Sequence, residues 1–153
     1  MPSVGEPAPT FTLRSHQGGE ISLEDFRGNK HVVLVFYPMD FSGVCSNQLP
    51  EYSSHQRQFE ARGAVVLGVN RDSVHTHRAW ARAFGIELPL LADMTGAAAR
   101  SYGVWNAEAG FSERAVFLID RRGILRYRHV EDTIDDFTVH AADVLTEIDM
   151  LEG

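Results

Sequence analysis

The sequence contains a single cysteine, Cys45, in 153 residues. One thiol excludes an intramolecular disulfide, and it also excludes a zinc site built from several cysteines. Acidic residues outnumber basic ones by 21 to 14, which gives a formal net charge of −7. Because binding to a phosphate backbone needs a basic face, we expect no nucleic-acid partner. No apolar run approaches the roughly 18 residues of a membrane span, so we expect no membrane partner either.

The length fits one domain, which we predict to cover residues 1–153. The composition, 44% hydrophobic and 23% charged, is ordinary for a globular protein. Residues 1–6 have neither the basic nor the apolar segment of a signal peptide. We therefore expect a cytoplasmic protein.

The pattern of apolar residues and turn residues predicts an α/β fold. Strands and helices alternate in the middle of the chain, which indicates parallel strands, and a closing hairpin adds antiparallel strands at one side. We predict a mixed central β-sheet flanked by helices on both faces. The predicted strands are 10–13, 21–22, 31–37, 64–69, 89–92, 115–119 and 124–130.

Helix signals fall between these strands. One helix is predicted from about 44 to 62, with a kink at Pro50 because proline cannot donate its backbone bond. Ser73 is the predicted N-cap of a second helix that ends at Phe84 before Gly85. A short helix follows at 96–102, and Asp136 is the predicted cap of a last helix that ends near Met150.

Cys45 is predicted to lie in the first turn of a helix, just after the strand 31–37 and a short loop. Open α/β sheets bind ligands outside the carboxyl ends of their strands, so this is a typical position for an active site. A free cysteine is nevertheless most often buried and inert, and both interpretations remain open on position alone.

A reactive Cys45 would need stabilisation of its thiolate. A free cysteine has a pKa of about 8.5 and is only ~3% ionised at pH 7. Lowering that pKa by about two units requires about 2.7 kcal/mol, of which a helix N-terminus supplies about 0.3–1 kcal/mol. A cation must provide the remainder, and arginine is best suited because it stays charged.

Residues 38–45 read Pro-Met-Asp-Phe-Ser-Gly-Val-Cys, which resembles the peroxiredoxin motif of Pro, three residues, Thr or Ser, two residues and Cys. The preceding Tyr37 extends the likeness to the family's Tyr-Pro-x-Asp-Phe stretch. Residues 4–11, residues 72–80 and Arg114 ahead of 116–120 also resemble family segments, in the same order. The length and the single cysteine are similar to the one-cysteine, alkyl hydroperoxide reductase E-type subgroup.

The resemblance implies a thioredoxin-like fold and a thiol-dependent peroxidase for hydrogen peroxide and organic hydroperoxides. Cys45 would be the nucleophile that becomes a sulfenic acid. Ser42 would bind the peroxide, Arg114 would stabilise the thiolate and the transition state, and Pro38 would shield the sulfur. Three of these residues also have a structural interpretation. Ser42 could be a helix N-cap, Arg114 could form a surface ion pair, and Pro38 could end the strand.

The resemblance also implies a substrate pocket that includes Phe41, Gly43, Val44 and Gln48. Because Pro50 stands where some relatives have a resolving cysteine, an external thiol must reduce the sulfenic acid. Thioredoxin, or mycothiol with a mycoredoxin, would be suitable. The likeness further suggests a homodimer through the loops around the active-site helix.

No cofactor and no metal are expected. A pair such as His75 and His77 lies two residues apart, which places the side chains on different faces of a helix. Two other functions remain open from the sequence. One is a peroxide sensor or redox relay that acts by mixed disulfide with a partner protein, and the other is a binding or chaperone-like module.

Overall fold

The computed structural model describes residues 2–43 and 45–152, and its description of side chains leaves out 45, 46 and 152. Two sheets are present in these ranges. The larger has seven strands, and the smaller is a hairpin that the sequence does not predict. The strands are β1 (Thr12–Ser15), β2 (Glu20–Ser22), β3 (His31–Phe36), β4 (Ala64–Asn70), β5 (Leu90–Ala92), β6 (Trp105–Asn106), β7 (Phe111–Ser112), β8 (Ala115–Ile119) and β9 (Leu125–Val130).

The large sheet has the order β2-β1-β5-β4-β3-β8-β9. Its centre is parallel, because β3 pairs with β4 and β4 with β5 in the same direction. The outer pairs are antiparallel, so the predicted mixed sheet is confirmed. Antiparallel strands lie at both edges rather than at one, since the opening hairpin attaches to β5 through the pairing of Arg14 with Ala92.

Helices cover both faces of the sheet, as predicted. The connections β3 to β4 and β4 to β5 run the same way across the sheet, so right-handed crossovers place their helices on one face. The helices are α1 (Cys45–Ser54), α2 (Gln56–Ala61), α3 (Val74–Phe84), α4 (Ala97–Ser101) and α5 (Ala141–Glu152). The face with the crossover helices packs against α1, α2, α3 and α5, and the other against α4 and the 3-10 turn Leu23–Phe26. Within the described ranges, every helix is too short or too polar to cross a membrane.

The strand β3 is buried along its whole length, which the run of β-branched residues predicts. Val33 and Val35 face one helical layer, and Val32 and Leu34 face the other. Each of these side chains is at most 1% exposed. Complete burial of one such side chain stabilises the fold by about 1.5–3 kcal/mol, so β3 is a rigid support for the loop that follows it.

The long helix predicted over 44–62 is divided into α1 and α2, and the interruption lies at His55 rather than at Pro50. The carbonyl of Glu51 accepts a hydrogen bond from the Ser54 hydroxyl at 2.7 Å and another from His55 Nδ1 at 2.9 Å. The backbone N–H of His55 instead donates to Tyr52, three residues back. Side chains thus compete for the helical carbonyl and end the helix.

The predicted limits of α3 are confirmed. The Ser73 hydroxyl accepts from the Thr76 N–H, and Gly85 ends the helix in the left-handed region with φ of 66°. The cap predicted at Asp136 is wrong, because α5 begins at Ala141, whereas Asp136 accepts from the N–H of Phe137, which precedes the helix.

The start of α5 is fixed by two other carboxylates. Asp143 accepts from the His140 N–H at 2.9 Å. Glu51, on α1, accepts from the Ala141 N–H at 3.3 Å. The contact between Glu51 and Ala141 joins two helices that are distant in sequence, so no local sequence pattern predicts it.

Gly68 allows α1 to lie close to the sheet. A methyl group at this position would come within 2.7 Å of Leu90 Cδ2 and 3.1 Å of Leu49 Cδ1. Leu49 belongs to α1, so a larger residue on β4 would push away the helix that begins at Cys45.

Candidate active site

The loop between β3 and α1 forms one side of the candidate site. β3 ends at Phe36, Pro38 is buried, and α1 begins at Cys45. The backbone therefore confirms that Cys45 is in the first turn of a helix at the carboxyl end of a central strand. The Cys45 side chain and the whole of Val44 lie outside the described residues.

Arg114 reaches this loop because of the register between two strands. In the antiparallel pair of β3 and β8, Phe36 lies opposite Ala115. Arg114, one residue before Ala115, must then lie beside the residues that follow β3. Its side chain is only 2% exposed. Its interpretation as a surface ion pair is therefore wrong.

Hydrogen bonds hold the guanidinium group of Arg114 in one orientation. Nε and Nη2 donate to the Ile134 carbonyl at 3.2 and 2.9 Å. Nη1 donates to Gln48 Oε1 at 2.7 Å. Gln48 is three residues after Cys45, in the first turn of α1. The charge of Arg114 is thus fixed beside the first turn of α1.

Gln48 is itself unusual. It is fully buried, and its Nε2 group has no hydrogen-bond partner among the described residues. A buried donor without a partner destabilises a protein by about 1–3 kcal/mol. Because Gln48 Oε1 accepts from Arg114, the guanidinium group sets the orientation of the amide.

A cavity of about 330 Å³ lies between the loop and Arg114. Four of the residues predicted for the site line it, and four residues that the sequence analysis does not identify complete it. The lining residues are Pro38, Met39, Ser42, Gly43, Phe111, Arg114, Ile134 and Asp135. Of the second group, Met39 belongs to the same loop as Pro38 and Ser42. Phe111 comes from β7, and Ile134 and Asp135 come from the segment after β9, where nothing in the local sequence indicates a site.

The hydroxyl group of Ser42 donates to the Met39 carbonyl at 3.0 Å. This bond fixes the direction of the hydroxyl and leaves its oxygen able to accept a proton donor, such as the O–H of a hydroperoxide.

The family resemblance predicts Phe41 for the pocket, but its ring is directed towards α3. It lies against Trp80 and Phe84, with centroid distances of 6.5 and 6.3 Å. It is absent from the lining of the described part of the cavity. Its φ of 64° is in the left-handed region, which a bulky residue adopts only when its surroundings enforce it.

A second cavity, of about 540 Å³, lies beside β1 and the start of α3. It contains none of the predicted site residues, and volume alone does not indicate chemistry. Within residues 2–43 and 45–152, no group of three or more His, Cys, Asp or Glu side chains could hold a metal ion.

The family model described as "AhpC/TSA family" matches residues 4–128. The chain belongs to the AhpC/TSA family. It is 38% identical over 133 residues to alkyl hydroperoxide reductase E of Mycobacterium tuberculosis, covering 86% of this chain and 87% of the relative. It is 42% identical over 139 residues to peroxiredoxin-2 of Cricetulus griseus, covering 84% of this chain and 70% of the relative.

Solved structures of family members are similar over almost the whole chain. The reduced 2-Cys peroxiredoxin of Plasmodium vivax matches with a TM-score of 0.88 and 32% identity, covering 97% of this chain and 96% of that one. Enterococcus faecalis AhpC matches with a TM-score of 0.90 and 27% identity, covering 99% and 93%. The predicted thioredoxin-like peroxiredoxin fold is therefore confirmed.

The environment of Gln48 leads to a stability prediction. Gln48→Glu keeps the bond to Arg114, makes it charge-assisted and removes the amide group that has no partner in the described part of the chain. We expect the free energy of unfolding in urea at pH 7 to rise by about 1 kcal/mol.

The matched control is Gln17→Glu. The Nε2 group of Gln17 donates to the Glu87 carbonyl at 2.8 Å, so the same substitution there removes a hydrogen bond that is made. Stability should not rise in that variant. A loss of stability in Gln48→Glu would contradict the described role of Gln48.

Proposed function

We propose that this protein is a one-cysteine thiol peroxidase with Cys45 as its nucleophile. The Cys45 thiolate attacks the distal oxygen of a hydroperoxide, the S–O bond forms and the O–O bond breaks. The products are a sulfenic acid on Cys45 and an alkoxide, or hydroxide from hydrogen peroxide, that takes up a proton. Membership of the AhpC/TSA family supports thiol-dependent peroxide reduction.

The observation that carries this proposal is the buried guanidinium of Arg114, bonded to Gln48 in the first turn of the Cys45 helix. A fixed cation there provides the stabilisation of the thiolate that the helix N-terminus alone does not. The same donors favour the transition state, because negative charge moves from sulfur to the leaving oxygen.

The other lining residues have separate roles in the proposal. The oriented Ser42 hydroxyl accepts the O–H of the peroxide. Pro38 excludes water from the sulfur, and Gly43 leaves room for the substrate where the loop meets α1. Met39, Phe111 and Ile134 give the cavity an apolar part, which supports organic hydroperoxides as substrates beside hydrogen peroxide.

Recycling requires a thiol from outside the chain, because Cys45 is the only cysteine. One thiol condenses with the sulfenic acid to give a mixed disulfide and water. A second thiol then attacks that disulfide, which restores the Cys45 thiol and releases an oxidised product. We propose thioredoxin, or mycothiol with a mycoredoxin, as the donor, and the reducing cytoplasm as the compartment.

A homodimer is part of the proposal. Phe41 and Phe84 form an apolar pair beside the active-site loop, and they remain 53% and 43% exposed. Adjacent exposed aromatic rings next to a functional loop favour association with another protein surface. A second copy of this chain is the proposed occupant.

Single-turnover kinetics tests the peroxidase. Trp80 stacks on Tyr37 and approaches Phe41, so its fluorescence should report oxidation in a Trp105→Phe background. We expect one sulfenic acid per Cys45, and a rate that falls by at least ~100-fold in Arg114→Ala because a donor to the transition state is lost.

Arg126→Ala is the control, since Arg126 pairs with Asp120 at the opposite end of β8 and should leave the rate unchanged. A rate no faster than that of a free thiol in solution would reject the peroxidase. A fast reaction whose only lasting product is a mixed disulfide with one partner protein would favour the sensor or relay instead.

Sedimentation equilibrium tests the dimer. The wild type should have twice the mass of one chain, and Phe84→Asp should shift it towards the monomer because a charge replaces apolar surface. Met150→Asp changes an equally apolar residue, 67% exposed on α5, and should stay dimeric. A monomeric wild type would contradict the proposal.

A further inference from the structure

A buried hydrogen-bond network lies beneath the active-site loop, and none of the proposed chemistry uses it. Its centre is Asp40, whose side chain is completely buried. Asp40 Oδ1 accepts from the Tyr37 hydroxyl at 2.8 Å and from Asn70 Nδ2 at 3.1 Å. Asp40 Oδ2 is 2.5 Å from Nδ1 of His77, which is equally buried.

The contacts of the two ring nitrogens of His77 show which of these atoms carry a hydrogen. Its Nε2 is 3.0 Å from the Leu91 carbonyl, which can only accept, so Nε2 carries a hydrogen. Its Nδ1 faces a carboxylate, and two lone pairs at 2.5 Å would repel each other. A second proton must therefore lie between Nδ1 and Asp40, which makes the pair neutral as a whole. This compensation is what allows a carboxylate to be buried there.

The network joins the loop to four neighbouring elements. Tyr37 directly follows β3, Asn70 ends β4, and His77 is on α3 with its second contact on β5. The backbone N–H of Asp40 also donates to Asp72 Oδ2 at 2.7 Å. The carboxyl ends of the parallel strands are thus tied to one loop residue.

The position of Asp40 in the loop connects this network to the site. Pro38 and Ser42 are two residues before and after it, and both line the cavity. Phe41, between Asp40 and Ser42, has a φ of 64°. A bulky residue in this conformation is strained and persists only when neighbouring contacts determine it.

We propose that Asp40 and His77 are positioning residues for peroxide reduction: the buried pair holds the loop so that Ser42 and Pro38 face the reacting sulfur. The inference rests on the proposed function and assigns a role to a pair that touches no substrate. In the sequence, His77 is considered only as one of a metal-binding pair that its spacing disfavours, and its contacts are a carboxylate and a carbonyl on the protein.

The test compares two reactions of Cys45. Reaction with hydrogen peroxide needs the oriented loop, whereas alkylation by iodoacetamide needs the thiolate but no activation of an O–O bond. Tyr37→Phe keeps the buried ring and removes one donor to Asp40, so it is the variant least expected to unfold. We expect its peroxide rate to fall about tenfold or more, with its alkylation rate unchanged.

Tyr102→Phe is the matched control. The Tyr102 hydroxyl is also buried and donates to a carbonyl, that of Pro9 at 2.7 Å, on the opposite face of the sheet. Its loss should cost similar stability and leave both rates at the wild-type level. Equal slowing in Tyr37→Phe and Tyr102→Phe would mean that the network has a structural role only.

Asp40→Asn separates geometry from charge. The amide oxygen can accept from Tyr37 and Asn70, and the amide nitrogen can donate to a His77 ring that carries its hydrogen on Nε2. All bonds are kept, so the peroxide rate should stay near that of the wild type, whereas His77→Ala should lower it. An Asp40→Asn variant as slow as His77→Ala would overturn positioning by hydrogen bonds.

A double-mutant cycle with Ser42→Ala completes the experiment. If the network acts through Ser42, Tyr37→Phe should slow the peroxide reaction much less in the Ser42→Ala background. Full additivity would overturn the proposal. A wild-type rate equal to that of a free thiol would instead reject the peroxidase itself, so the two failures are distinguishable.

Discussion

The buried guanidinium of Arg114 connects three parts of the chain that are distant in sequence. The register of β3 and β8 brings Arg114 to the end of β3, and the carbonyl of Ile134 and the amide of Gln48 then fix it. A buried cation is stable only if its donors are satisfied and its charge is opposed. In the proposed enzyme the Cys45 thiolate supplies that negative charge, which relates the stability of the fold to the reactivity of the sulfur.

The loop opposite Arg114 is held by a different kind of contact. Asp40 is anchored by neutralised, fully buried hydrogen bonds, so its position does not depend on substrate. A preorganised loop avoids the reorganisation that would otherwise raise the barrier of the reaction. The two sides of the cavity are thus rigid for separate reasons, one electrostatic and one based on a buried network.

Local sequence patterns predict much of this arrangement. The β-branched run of β3, the Ser73 cap and the Gly85 end of α3 are correct, because each depends on neighbours in sequence. The motif around Cys45 identifies the loop on one side of the cavity, and Arg114 identifies the facing side. The N-cap prediction at Asp136 is wrong because the start of α5 depends in part on a residue that is distant in sequence, the carboxylate of Glu51 on α1.

The remaining parts of the site depend on tertiary contacts, which local sequence patterns do not predict. The Ile134 carbonyl is a backbone group in an irregular loop, and no side-chain pattern marks it as a ligand of Arg114. The family resemblance suggests that Phe41 is a pocket residue, but its left-handed backbone directs the ring to α3. His77 and Asp40 are far apart in sequence, and only the closeness of α3 to the end of β3 brings them together.

The reactivity proposed for Cys45 depends on an environment that stabilises its thiolate. Titration of the ultraviolet absorbance of the thiolate against pH, with Cys45→Ser as the blank, measures that stabilisation. We expect a midpoint about two units below the ~8.5 of a free cysteine, and a higher midpoint in Arg114→Ala. A wild-type midpoint at or above ~8.5 would contradict it.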